Sequence, residues 1–159
     1  MIVQTYEEVF GKKLTIKDLV DGFKEDTRSG KVVAYGGRLN VRPPYQREFI
    51  YEMEKQKAVI ESILRGYPLN VMYWAKNGDG FELMDGQQRT ISIAKFYQDQ
   101  YSVGVEFAGK RSPKTFSGLI GKDRQSFLDY PLTVYICGGD EKEKLDWCQI
   151  INISSEMYG

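Results

Sequence analysis

The stretch FELMDGQQRTISIAKFY, residues 81–97, decides how the chain folds. Phe81 to Met84 reads as a strand returning from the turn before it, and Asp85-Gly86 breaks it. From Gln87 to Tyr97 the residues Ile91, Ile93, Ala94, Phe96 and Tyr97 recur at helical spacing among glutamine and lysine. The unit is a strand, a tight turn and a helix.

Upstream, Asn77-Gly78-Asp79-Gly80 is a strong turn signal, with Leu69 to Trp74 as the partner strand. Met53 to Arg65 predicts a helix that Gly66 and Pro68 end. Pro43-Pro44 stops an earlier strand, because proline donates no ladder hydrogen bond, so Tyr45-Gln46-Arg47 falls on a loop. Before it, Val32, Val33 and Tyr35 face Leu39 and Val41 across Gly36-Gly37, a hairpin pattern. Thr15 to Phe23 reads as a short amphipathic helix with Thr15 as its cap. Downstream, Tyr101 to Phe107 predicts a strand, Ala108 to Pro113 a basic loop, Phe116 to Tyr130 irregular and helical structure, Leu132 to Cys137 a strand, and Leu145 to Ile153 a helix with an acidic start at Asp140. No repeat or low-complexity tract divides the chain. The expectation is one α+β domain spanning 1–159, with its core at about 15–137.

Composition narrows the function. The 159 residues carry 22 basic and 22 acidic side chains and no histidine. That absence removes Ser-His-Asp and Cys-His catalysis, histidine-ligated zinc and any imidazole general base. Cys137 and Cys148 without a third soft ligand make no zinc site, and they are expected to be reduced and half-buried. No run approaches the roughly eighteen apolar residues of a membrane span, and the chain is read as cytoplasmic. A net charge of zero argues against nucleic-acid binding by bulk attraction, although a local patch can still act.

Asp85-Gly86-Gln87-Gln88-Arg89-Thr90 carries the chemistry best. A helix start has unpaired N–H groups and the positive end of the dipole, which together form an anion site. Glycine admits a phosphate close to the backbone, Arg89 adds a forked cation, and the glutamines add donors and acceptors. Asp85 is either a helix cap or a ligand to Mg2+. Arg42 to Arg47 is the second candidate, a proline-held loop presenting Tyr45, Gln46 and Arg47, with a surface salt bridge from Arg47 to Glu48 or Glu52 as its plain alternative. Lys110, Arg111 and Lys114 could meet a phosphate backbone, or simply be solvated. The acidic helix after Asp140 is expected to face water or a partner.

The two segments together carry a family resemblance. PPYQREFIYEMEKQKAVIESILRGYPLNVMYW, followed by a hairpin and FELMDGQQRTISIAKFY, resembles the ParB-like nuclease superfamily, above all the DGQQR-motif domain at the amino terminus of GmrSD-type modification-dependent restriction enzymes. The likeness covers Thr15 to Asp99 well and weakens toward Ile153. It implies a ParB and sulfiredoxin-like fold with a small mixed sheet, packed helices, and a nucleotide pocket between the two motifs. On that basis Tyr45, Gln46, Arg47, Gly86, Gln88 and Thr90 are expected to bind a nucleoside triphosphate, and Asp85, Gln87 and Arg89 to act in its hydrolysis, with Mg2+ at Asp85. It further implies a restriction or phage-defence role, DNA as a partner, and a nuclease domain or subunit. A chain without histidine holds no HNH module and is expected to lack the carboxy-terminal effector domain, so DNA cleavage by this chain alone is not expected. Two other readings stand beside this one: a non-enzymatic DNA-binding or assembly module, and a Mg2+-dependent nuclease that would need Glu48, Glu82 or Glu106 near Asp85.

Overall fold

Alternation along three central strands explains the architecture of this computed structural model, which describes residues 2–42 and 51–158, with side chains as far as residue 151. The Tyr45-Gln46-Arg47 loop lies outside the described residues. In chain order the elements are β1 (Ile2–Thr5), α1 (Tyr6–Phe10), β2 (Leu14–Thr15), α2 (Ile16–Val20), β3 (Lys24–Glu25), β4 (Val32–Ala34) and β5 (Leu39–Asn40). After residue 51 come α3 (Met53–Leu64), β6 (Met72–Asn77), β7 (Gly80–Asp85), α4 (Gln87–Tyr97), β8 (Val103–Phe107), β9 (Lys110–Lys114), a 3-10 turn at Phe116–Gly118, α5 (Gly121–Leu128), β10 (Pro131–Leu132), β11 (Val134–Gly138) and α6 (Glu141–Tyr158).

Seven strands form one mixed sheet in the order β1-β11-β6-β7-β5-β4-β3. β11 runs parallel to β6, β6 and β7 form an antiparallel hairpin, and β5 runs parallel to β7. The chain is therefore α+β, as expected. Trp74, Leu83, Val134 and Ile136 face the main core, which α2, α3 and α4 fill with Leu19, Ile60, Ile63, Ile91 and Ile93. The intervening residues Ala75, Met84 and Cys137 point the other way and pack with Cys148 of α6. Both faces of the central strands are thus buried, which is why Phe81, Leu83 and Met84 of β7 show no apolar–polar alternation, with Glu82 buried among them.

Trp74 sits at the centre of an aromatic group, with ring centroids 5.1 Å from Tyr35, 5.5 Å from Phe81 and 6.0 Å from Tyr6. Tyr6 enters through an amino-terminal strand and helix that the sequence reading did not anticipate. Its signal was nevertheless local: Thr5 and Glu8 form a capping box, with the Glu8 N–H donating to Thr5 Oγ1 at 3.0 Å.

Several boundaries moved. The first helix of the reading is capped by Thr15 but stops at Val20, and the strand expected from Leu69 starts at Met72. The largest correction concerns Ala108 to Pro113. The expected basic loop is instead a turn followed by β9, paired antiparallel with β8 as a separate two-stranded ribbon. Charges and Pro113 hid the strand, yet a ribbon has free edges where a missing N–H costs nothing. Cys137 and Cys148 form no disulfide, as expected, but are fully rather than half buried, and burial pushes the Cys137 thiol up to about 11.

The start of α6 is acidic, with the Glu143 N–H donating to Asp140 Oδ1 at 2.8 Å. One of its cations goes inward. Lys144 is buried and lies 3.6 Å from Glu82 of β7 and 2.7 Å from Glu141, and it donates to the Lys76 carbonyl. Burial opposes its charge, but the hydrogen bond it donates to Glu141 and the field of Glu82 outweigh this and hold the ammonium above the usual lysine range. Lys144→Ala leaves Glu82 buried without a cation and should cost about 3 kcal/mol in urea unfolding. Because the folded-state value is raised, this contribution is fully present below the unfolded lysine value and disappears as the pH climbs through the folded one.

Candidate functional site

Asp85 ends β7, and the turn that follows is built around one residue without a side chain. Gly86 has φ 108 and ψ 14, a left-handed conformation that side chains resist. A Cβ there would also stand 2.6 Å from Met72 Cγ. This close approach sets α4 directly against the start of β6. No side chain caps α4, so the N–H groups of its first turn are left to other partners.

A bulge aims the carboxylate. Tyr73 pairs with Asp85 while Trp74 pairs with Leu83, so Met84 is an extra residue in β7. Strict alternation would put Asp85 on the face of Leu83; the extra residue places it opposite Tyr73 instead. Burial raises the Asp85 carboxyl above the usual aspartate value, against the opposing pull of Arg89 and of a hydrogen bond from the Gly86 backbone. Burial and the Asp85 charge together raise the Tyr73 hydroxyl.

Arg89 is committed to the protein. Its guanidinium donates to the carbonyl of Asn70, to that of Val71 at 3.1 Å, and to Asp85 Oδ2 at 3.5 Å. It therefore fastens the approach to β6 onto α4, and burial lowers its pKa from the ordinary arginine value, offset by Asp85 and Tyr51.

The two glutamines differ. Gln88 Oε1 accepts the Tyr51 N–H at 3.2 Å, which ties the helix start to the residue four places after Arg47. Gln87 is 4% exposed, and its Nε2 has no hydrogen-bond partner among the described residues. Thr90 is fully buried, with its hydroxyl donating to Met72 Sδ at 3.5 Å, beneath the helix rather than at its mouth.

The remaining candidates are dispersed. Lys110, Arg111 and Lys114 lie on the β8–β9 ribbon, where Arg111 pairs with Glu61 of α3 at 3.1 Å. Glu82 belongs to the Lys144 network, Glu106 is on the ribbon, and Glu48 is outside the described residues. Among the described residues, no three histidine, cysteine, aspartate or glutamate side chains gather where they could hold a metal. The sequence reading did not select Tyr51, Tyr73 or the Asn70 and Val71 carbonyls. Tyr73 alone carried a signal, as the strand residue flanked by Met72 and Trp74.

A strand, a left-handed glycine turn and a helix without a side-chain cap carry the run Asp-Gly-Gln-Gln-Arg. Residues 16–156 match the family described as the N-terminal domain of the GmrSD restriction endonuclease, and the chain belongs to that family. It is thereby a component of a restriction or phage-defence system. Neither a curated protein nor a solved structure matches it. Among the described residues, no helix is long and apolar enough to cross a membrane.

Two measurements check this geometry. Gly86→Ala meets both the left-handed backbone and Met72, and should cost about 2 kcal/mol or more in chemical denaturation. Since the Asp85 value is raised in the folded state, ionising it costs stability as the pH rises from about 4 through the folded value. Asp85→Asn should flatten that part of the curve of urea midpoint against pH.

Proposed function

We propose that this chain is the nucleotide-binding domain of its restriction system, taking a nucleoside triphosphate at the start of α4. The observation that carries the reading is the Gln87 amide. A buried donor without a partner costs about 1–3 kcal/mol, and this one lies in the first turn of an uncapped helix, where N–H groups and dipole favour an anion. A phosphate oxygen would satisfy it.

In this arrangement Gly86 lets the phosphates approach the backbone of Gln87 and Gln88. The Arg89 guanidinium, fastened to Asn70, Val71 and Asp85, adds positive charge beside the helix start, and Arg47 would supply a second cation. Asp85 is a single carboxylate. That suits Mg2+, which is commonly held by one or two carboxylates together with substrate phosphates, and the metal would neutralise charge developing on them. Asp85 would orient a water in hydrolysis, with Gln87 beside it. The nuclease partner expected of the family would use the bound state as its signal.

Isothermal titration with ATP, GTP and CTP, with and without Mg2+, tests the proposal. Gln87→Met keeps the volume and removes the unpartnered donor. It should leave the melting temperature unchanged or raised while weakening nucleotide binding about tenfold. Failure of every nucleotide to bind, or full affinity in Gln87→Met, overturns it.

A further inference from the structure

The β8–β9 ribbon is rooted in the core and free at its tip. Along one face, Val103 is 1% exposed, Val105 packs against the core edge, and Phe107 is 65% exposed. Their cross-strand partners are Lys114, Ser112 and Lys110. The tip closes through Ala108 and Gly109, both at positive φ, the two-residue turn that suits a twisted ribbon. Phe107 and Lys110 thus stand side by side at the end, an exposed phenyl ring next to an exposed ammonium.

The opposite face does a different job. Arg111 lies across Gly104, where a Cβ would come 2.4 Å from its Nε, and reaches Glu61 on α3. Its charge is spent bracing the ribbon. Lys110 and Lys114, by contrast, have no ion-pair partner among the described residues, and no acidic residue shares their face of the ribbon.

We propose that this ribbon is a DNA-contacting arm, with Phe107 stacking against a base and Lys110 and Lys114 meeting backbone phosphates. The two lysines are spaced about 13 Å apart along the strand, which covers roughly four base steps of a DNA strand. A two-stranded ribbon fits the major groove, and an exposed phenylalanine is the kind of side chain that stacks on bases or wedges between them. One ring offers too little area for a protein interface, which buries on the order of 1,000 Å2 or more. The cations instead complement a polyanion. This inference goes beyond the nucleotide reading and does not rest on it.

The test is fluorescence anisotropy of the full 159-residue chain with labelled duplex and single-stranded oligonucleotides across a salt series. Phe107→Ala should weaken binding about tenfold, and Phe107→Trp should retain it. Lys110→Ala and Lys114→Ala should each reduce the slope of log affinity against log salt by about 1. Tighter binding of duplex assigns the arm to a groove, and tighter binding of single strands assigns it to unpaired bases. Because Phe107 and Lys110 stand at the exposed tip, substituting either should leave the melting temperature unmoved. The proposal is overturned if no DNA binds, if Phe107→Ala binds DNA as the unaltered chain does, or if that variant loses only a protein contact.

Discussion

Gly86 packs directly against Met72, and the rest of the site hangs on that approach. A glycine with φ 108 lets β7 turn at once into α4 while the Met72 side chain fills the space a Cβ would need. With the helix start fixed there, Arg89 one turn on reaches the carbonyls of Asn70 and Val71, which lead into the strand that holds Met72. The turn, the helix and β6 are locked by one contact and one side chain. A larger residue at position 86 would displace all three.

That lock leaves a particular set of groups without partners. Arg89 satisfies backbone carbonyls, Gln88 satisfies the Tyr51 N–H, and Thr90 is consumed by packing. The Gln87 Nε2 is buried and has no hydrogen-bond partner among the described residues. The division of labour within six consecutive residues separates those that build the turn from the one whose hydrogen-bonding capacity is unspent. The same logic distinguishes the ribbon cations, since Arg111 braces the ribbon on Glu61 while Lys110 stands beside Phe107.

Much of the fold was legible because local and tertiary preferences agree. α4 covers Gln87–Tyr97 as its periodicity requires, and the turn at Asn77 to Gly80 joins β6 and β7 as its glycines indicate. β9 was missed because Pro113 and three cations oppose strand formation locally, and only pairing with β8 overcomes them. β1 was missed for a related reason. Its residues are largely exposed and show no alternation of burial, and antiparallel bonds to β11 make it a strand. In the site, the strand-turn-helix run Asp85 to Thr90 could be read directly, but Tyr73 and the two carbonyls under Arg89 could not, because strand pairing and a bulge bring them there.

The sequence by itself determined the α+β class, the strand-turn-helix unit with its obligatory glycine, and the exclusion of imidazole chemistry, because each follows from residue types at short range. Only the tertiary structure decided which polar groups are spent. Whether a guanidinium clamps its own backbone, a lysine lies buried between two glutamates, or an amide is left without a partner depends on what segments distant in sequence bring alongside. Local patterns set conformation, whereas the satisfaction of hydrogen bonds and charges is settled only when the whole chain has packed.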